Sequence, residues 1–287
     1  MTDLAEDMAR QLHLPLGLPG SGRQRYAAAM WFHGAGRLSP AALEAYRMVS
    51  PRDGDDPVPL LAGEAIPAPP ERGPEAALAA LRRELLALLK RCEGPGIPES
   101  RFALAAAGGP PRLAGPAGAR AARVLAAELP PALAALAEAE PAAAAALAEA
   151  APHLPWMSYD YPPGAEIGPR FPEAHAYCVL TGETGAVWPA QGLDVGLFLV
   201  APRTFYRDHS HPAPELYLPF TGPHGWRFHP GGPMSSREAF EPVWNAPDAP
   251  HAILAGEVPL LCLYAWLADP QAPSTILPAP DWADHEG

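Results

Sequence analysis

The feature that most constrains the fold is a change in the sequence pattern near residue 150. Six of the seven tryptophans and six of the eight tyrosines lie beyond it. Short runs rich in aromatic and β-branched residues follow one another there between Gly- and Pro-containing turns, which is typical of antiparallel sandwiches and barrels. The runs that predict strands are residues 176–180, 185–189, 194–201, 215–220, 225–229, 239–244, 251–255 and 258–267.

The chain before residue 150 predicts helices. The clearest runs from Pro74 to Arg91, where leucines recur at the three-and-four spacing of an amphipathic helix. Further helices are predicted up to Leu12 and over residues 24–36, 39–49, 98–107, 116–128 and 130–150, with a break or restart at Pro141. We therefore predict an α+β fold: a helical N-terminal domain over residues 1–150, then a C-terminal antiparallel β-barrel domain over residues 151–287.

The residues whose side chains could bind a metal or transfer a proton are concentrated between Tyr206 and Gly222. Side chains of an extended strand alternate between its two faces, so His209 and His211 share one face, and Glu215 and Tyr217 have the same parity. A His-x-His pair alone is more often exposed or hydrogen-bonded than metal-bound. The added glutamate favours a mixed nitrogen and oxygen site for a divalent first-row metal.

The spacing His-x-His-x3-Glu-x6-Gly resembles the first motif of the cupin family, and His251 resembles the histidine of the second motif. Two positions depart from the family pattern, since Arg203 replaces a usual glycine and Ala255 a common asparagine. We expect Gly222 to end the strand in a turn, where positive φ is often required. The resemblance implies a cupin or jelly-roll barrel around a metal, in agreement with the predicted strands.

Several strings resemble one branch of that family, the bacterial cupin-type dimethylsulfoniopropionate lyases. The resemblance implies that His211, Glu215 and His251 bind the metal and that Tyr217 is the base that removes a proton beside the substrate carboxylate. Tyr206 and His209 match residues that assist substrate binding or proton transfer. The strings are His153–Trp156, Val195–Val200, Tyr206–Tyr217, His251 and Pro259–Trp266.

The implied reaction is the cleavage of dimethylsulfoniopropionate to dimethyl sulfide and acrylate, and its substrate is a small zwitterionic carboxylate. The donor types suit iron, zinc and manganese, and also nickel and cobalt. A sulfonium cation favours aromatic faces, and the candidates are Trp156, Trp188, Trp226, Trp244 and Tyr159. We expect His224 and His229 to be exposed on a hairpin.

Composition excludes other classes of protein. A formal net charge of −12 argues against nucleic-acid binding, and no apolar run of about twenty residues predicts a membrane span. The acidic N-terminus lacks the regions of a signal peptide, and three scattered cysteines indicate reduced thiols. We therefore expect a cytoplasmic protein, for which the sequence leaves a homodimer open.

Two other functions stay open at this point. Two histidines and one carboxylate are also the ligand set of non-haem iron oxygenases, which need dioxygen and would not need Tyr217. A non-catalytic cupin that keeps a structural metal is the other alternative. Tyr206, His209 and Tyr217 beside the predicted ligands favour an enzyme, because a structural site needs no proton-transfer groups.

Overall fold

The computed structural model describes residues 4–14, 16–17, 19–69, 73–161 and 164–286. It divides into two compact units, Met1–Arg72 and Gly73–Gly287. None of the helices among these residues has the length and apolar character that crossing a membrane requires. The domains predicted from composition, residues 1–150 and 151–287, stay a prediction.

The first unit is helical. Its helices are α1 (Leu4–Leu12), α2 (Ser21–Gly34), α3 (Pro40–Val49) and the short α4 (Val58–Leu61). Ser39 caps α3, because its hydroxyl accepts a hydrogen bond from the Ala42 amide at 3.1 Å. A core that includes Leu12, Phe32 and Tyr46 holds these helices together.

The second unit begins with α5 (Pro74–Arg91), α6 (Ile97–Ala106), α7 (Ala119–Ala139) and α8 (Pro141–Ala150). The leucine stripe of α5 is buried as the spacing predicts. The predicted break between residues 128 and 130 is wrong, since α7 continues through Pro130 and Pro131. Leu129, Ala132 and Leu136 on either side of the prolines are all buried, so packing of one apolar face outweighs the lost backbone hydrogen bonds.

Two sheets follow the helices. The first contains β1 (His175–Gly182), β2 (Trp188–Pro189), β3 (Asp194–Val200), β5 (Glu215–Pro219), β8 (Val243–Asn245) and β10 (Leu260–Trp266), in the order β2-β1-β3-β10-β5-β8. The second contains β4 (Phe205–Ser210), β6 (His224–Arg227), β7 (Ser235–Arg237), β9 (His251–Leu254) and β11 (Thr275–Ile276), in the order β11-β4-β9-β6-β7. All pairs are antiparallel except β1 with β2. A short helix, α9 (Trp282–His285), comes last.

The predicted combination of a helical part with antiparallel sheets is confirmed, but a closed barrel is not observed. Within the described ranges, every strand pair lies inside one of the two sheets. The strands at the sheet edges, β2, β7, β8 and β11, are only two or three residues long, so pairing ends before the sheets join.

Alternate side chains along β5 lie on opposite faces of the first sheet, and the two faces contact different cores. Leu216, Leu218 and Phe220 pack in the core shared with the helices. Tyr217, of opposite parity, packs in a second core with Tyr206 and other residues of both sheets. The face that carries Glu215 and Tyr217 is therefore the face toward the second sheet.

Two backbone positions of the cupin-like motif behave differently from expectation. Gly222 does not have positive φ; a Cβ there would lie 2.7 Å from the Ala239 amide nitrogen, so close packing requires the glycine. Arg203, at the position where the family usually carries glycine, has φ of 53°. The left-handed conformation is therefore present at residue 203 without the glycine that usually supplies it.

Candidate metal centre and cavity

Three buried histidines meet at one end of the second sheet. His209 of β4 pairs directly with His251 of β9, and His211 follows the end of β4. One ring nitrogen from each histidine lies within 4.8 Å of the others. All three side chains are almost completely buried, so the sheet register creates a compact nitrogen-rich site.

The backbone orients each imidazole in the same way. The Nδ1 atoms of His209 and His211 lie 2.8 Å from the carbonyl oxygens of Arg207 and Ala213, and Nδ1 of His251 lies 3.0 Å from that of Ala249. A carbonyl oxygen can only accept, so each Nδ1 donates a proton. Each Nε2 is therefore the atom left for the site, which is how histidine ligands of metals are commonly oriented.

The Glu215 carboxylate completes the cluster. Its Oε2 atom lies 3.1 Å from Nε2 of both His211 and His251. Trp266 Nε1 donates to Oε1 at 2.6 Å, and Asn245 Nδ2 donates to Oε2 at 3.0 Å. Burial alone would raise the pKa of Glu215, but His211 and His251 hold that pKa well below its ordinary value. The site therefore contains a carboxylate anion.

The donor set fits a divalent transition metal. His251 Nε2 is buried and has no hydrogen-bond partner, although the carboxylate oxygen of Glu215 is only 3.1 Å away. An unpartnered buried nitrogen is costly unless another group uses its lone pair. Imidazole nitrogen and carboxylate oxygen are common ligands of first-row divalent cations.

A cavity of about 510 Å³ opens onto this cluster. His209 and Glu215 form part of its wall, and most of the remainder is aromatic or comes from the segment after β10. The other lining residues are Met157, Tyr159, Asp160, Tyr161, Tyr177, Val179, Thr184, Asp194, Tyr206, Tyr217, Tyr264, Trp266 and Pro270–Ser274.

The two predicted catalytic tyrosines lie on the cavity wall. The Tyr206 ring stacks on His209 with a centroid distance of 4.1 Å, and the Tyr217 centroid lies 6.5 Å from that of His251. Burial raises the pKa of both phenols well above the ordinary value, and the Glu215 charge adds to the effect. Both are therefore neutral donors unless a cation lies beside them.

The structure brings all six predicted site residues together: His209, His211, Glu215, His251, Tyr206 and Tyr217. The division of roles among them stays a prediction. His209 belongs to the same histidine cluster as His211 and His251, although the sequence reading gave it an assisting role.

Sequence reasoning missed other members of the site. The hydrogen bonds from Trp266 and Asn245 to Glu215 were not expected, and neither was Asp194 on the cavity wall. Cross-strand register places all three, and a one-dimensional pattern does not show that register. Among the aromatic candidates for a cation, only Tyr159 is in the described lining.

Comparisons with known proteins indicate a family and a fold for this chain. Residues 114–262 match the family model described as dimethylsulfoniopropionate lyase. No curated protein matches the sequence significantly. A chain from the crystal structures of the dimethylsulfoniopropionate lyases RdDddP and RnDddQII is 23% identical, with a TM-score of 0.54, over 72% of this chain and all of that one.

Two further solved structures are more distant in shape. The dimethylsulfoniopropionate lyase DddQ from Ruegeria pomeroyi DSS-3 is 23% identical, with a TM-score of 0.49, over 70% of this chain and 96% of that chain. A cupin-2 domain from Rhodospirillum rubrum is 15% identical, with a TM-score of 0.35, over 46% and 81% of the two chains. The match at a TM-score of 0.54 shows a shared fold.

Proposed function

Because the chain belongs to the dimethylsulfoniopropionate lyase family, we propose that it cleaves dimethylsulfoniopropionate to dimethyl sulfide and acrylate with a divalent metal bound at the His–Glu cluster. The predicted family is confirmed by a match that covers more than half of the chain. The observation that carries the proposal is that the cluster and two phenols border one cavity.

His211, Glu215 and His251 would hold the metal, and His209 lies close enough to join them. A divalent cation bound there supplies positive charge that attracts a substrate carboxylate and favours the phenolate form of Tyr217. Trp266 and Asn245 orient the Glu215 carboxylate through their hydrogen bonds.

The proposed reaction is a β-elimination that begins with Tyr217. The phenolate oxygen removes a proton from the carbon next to the substrate carboxylate, and the electron pair of that C–H bond forms the carbon–carbon double bond. The C–S bond breaks, its electron pair stays on sulfur, and neutral dimethyl sulfide leaves. Tyr206, whose ring stacks on His209, would bind the substrate or pass the proton onward.

The burial of Tyr217 supports its role as a base. The residue is only 4% exposed, so the ring lies mostly in low-dielectric surroundings. In such surroundings the charge of a neighbouring cation acts more strongly than it would in water. The same burial raises the pKa of Tyr217 when no cation is near, so its basicity depends on the metal.

The test is a headspace assay for dimethyl sulfide on purified protein of known metal content, with acrylate measured in the same sample. We expect the two products in equal amounts, loss of both after chelation, and recovery when a divalent metal is added. Metal-loaded protein that releases no dimethyl sulfide would contradict the proposal. Oxygen uptake would then favour the alternative of an oxygenase, and tight ligand binding without turnover would favour that of a non-catalytic cupin.

A further inference from the structure

In the described lining of the cavity, the formally charged side chains are all acidic. Its described lining contains the carboxyl groups of Asp160, Asp194 and Glu215 but no lysine or arginine. A substrate carboxylate therefore finds no cationic side chain in this lining, and its partner must be the metal together with the hydroxyl groups. A cationic substrate group, in contrast, has carboxyl groups available at other points of the wall.

Asp194 lies in cross-strand register with Glu215 of the metal cluster, with one strand between them. It begins β3 and pairs with Trp266 of β10, and Trp266 in turn pairs with Glu215 of β5. Adjacent strands are separated by 4.7–4.9 Å, so the backbones at Asp194 and Glu215 are about 10 Å apart. A substrate with two carbons between its carboxylate and its cationic atom has a suitable length for this gap.

Asp194 has no cationic partner among the described residues. Its Oδ1 atom accepts one hydrogen bond, from the Glu183 amide at 2.9 Å, while Asp160 is paired with Arg120 at 3.0 Å. Burial raises the pKa of Asp194 to about 6, despite the hydrogen bond from Glu183. A partly buried carboxylate without an ion pair is costly for the fold, and a cationic ligand would relieve that cost.

Aromatic rings line the wall near Asp194. Tyr264 and Tyr177 meet edge to face with a centroid distance of 6.4 Å, and Trp266 is the direct cross-strand neighbour of Asp194. Gly196, two residues after Asp194, leaves room for the Tyr264 ring, since a Cβ there would lie 2.6 Å from Tyr264 Cε1. Aromatic faces attract onium groups through cation–π interactions.

We propose that Asp194 is the counter-charge that selects substrates carrying an onium group, with its carboxylate facing the cationic end of the ligand while the metal cluster takes the carboxylate end. This inference rests on the proposed lyase function, since it explains how the cavity recognises a zwitterion. It makes Asp194 a specificity-determining residue that takes no part in the chemical step.

The test compares two ligands of the same shape. 3-(Trimethylammonio)propionate carries a permanent positive charge, and 4,4-dimethylpentanoate has a neutral carbon in its place. Their dissociation constants are measured by calorimetry on metal-loaded wild type, Asp194→Asn and Asp160→Asn. Asparagine at 194 keeps the oxygen that accepts from Glu183. Asp160→Asn makes the same charge change on the same cavity wall at a carboxylate that Arg120 already pairs.

We expect the wild type and Asp160→Asn to prefer the cationic ligand by about tenfold or more. Asp194→Asn should lose most of that preference while binding the neutral ligand as before. An unchanged preference in Asp194→Asn would overturn the proposal and leave Asp194 as a turn-capping residue. A wild type without any preference would overturn it whether or not the variant folds. Because neither ligand contains sulfur, this result is independent of dimethyl sulfide release, which tests the lyase function.

Discussion

The hydrogen bond from Trp266 to Glu215 offers a sharp test of the metal cluster. Trp266 Nε1 donates to Oε1 of the buried carboxylate at 2.6 Å, and the indole also packs on His211 with a centroid distance of 4.2 Å. Trp266→Phe removes the donor and keeps an aromatic ring beside His211. The loss of one hydrogen bond to a charged group costs about 1.5–3 kcal/mol. At about 1.4 kcal/mol per factor of ten, metal affinity should fall roughly 10- to 100-fold.

The assay is competition for the metal against a chromophoric chelator, with metal content after dialysis as a second readout. Trp226→Phe is the matched control, because Trp226 is fully buried and its centroid lies 5.2 Å from that of Tyr217, yet its Nε1 has no hydrogen-bond partner. We expect the control to keep wild-type affinity. Equal affinities in all three proteins would refute the idea that Trp266 orients a metal ligand, and equal losses in both variants would attribute the effect to packing.

Three further predictions concern the ligands, acid stability and close packing. His211→Ala should lose the metal, which elemental analysis would show, and full metal occupancy would remove His211 from the ligand set. Burial lowers the pKa of both His175 and His224 from 6.5 to about 4. The unfolded chain therefore takes up protons first as the pH falls, so stability present above pH 6.5 is lost toward pH 4, by roughly 3 kcal/mol per histidine. Urea unfolding at several pH values measures this loss, and stability that stays constant to pH 4 would contradict it. Gly196→Ala should destabilise the fold by about 1–3 kcal/mol, because the new Cβ would lie 2.0 Å from the Cys178 carbonyl oxygen. It should also displace Tyr264, whose Cε1 atom would lie 2.6 Å from that Cβ. An unchanged melting temperature would contradict this prediction.

The sequence predicted which cluster residues share a face, because that depends only on the spacing between neighbouring residues. The two-residue period of a strand gives Glu215 and Tyr217 the same parity, and both lie on the cavity wall, while Leu216 and Leu218 pack with the helices. The leucine spacing of α5 was equally informative. A pattern that repeats every two to four residues can be recognised in a single sequence. It therefore predicts on which face of a strand or helix a side chain lies.

What the sequence could not predict depends on register and on distant partners. Asp194 lines the cavity because β3, β10 and β5 align it with Trp266 and Glu215. His224 was expected to be exposed and is instead buried, since its ring contacts the Thr221 hydroxyl and accepts a hydrogen bond from the Gly256 amide. His229 is exposed as predicted. No periodicity in the sequence encodes these contacts.

The measurement that tests the central claim most directly is turnover of Tyr217→Phe at full metal loading. The variant removes one hydroxyl from the cavity and leaves every nitrogen and carboxylate of the cluster in place. We predict that dimethyl sulfide release falls by about 10²- to 10⁴-fold, the usual contribution of a general base, while metal content stays at the wild-type level. Wild-type turnover in this variant would contradict the account, because the base would then have to be another group.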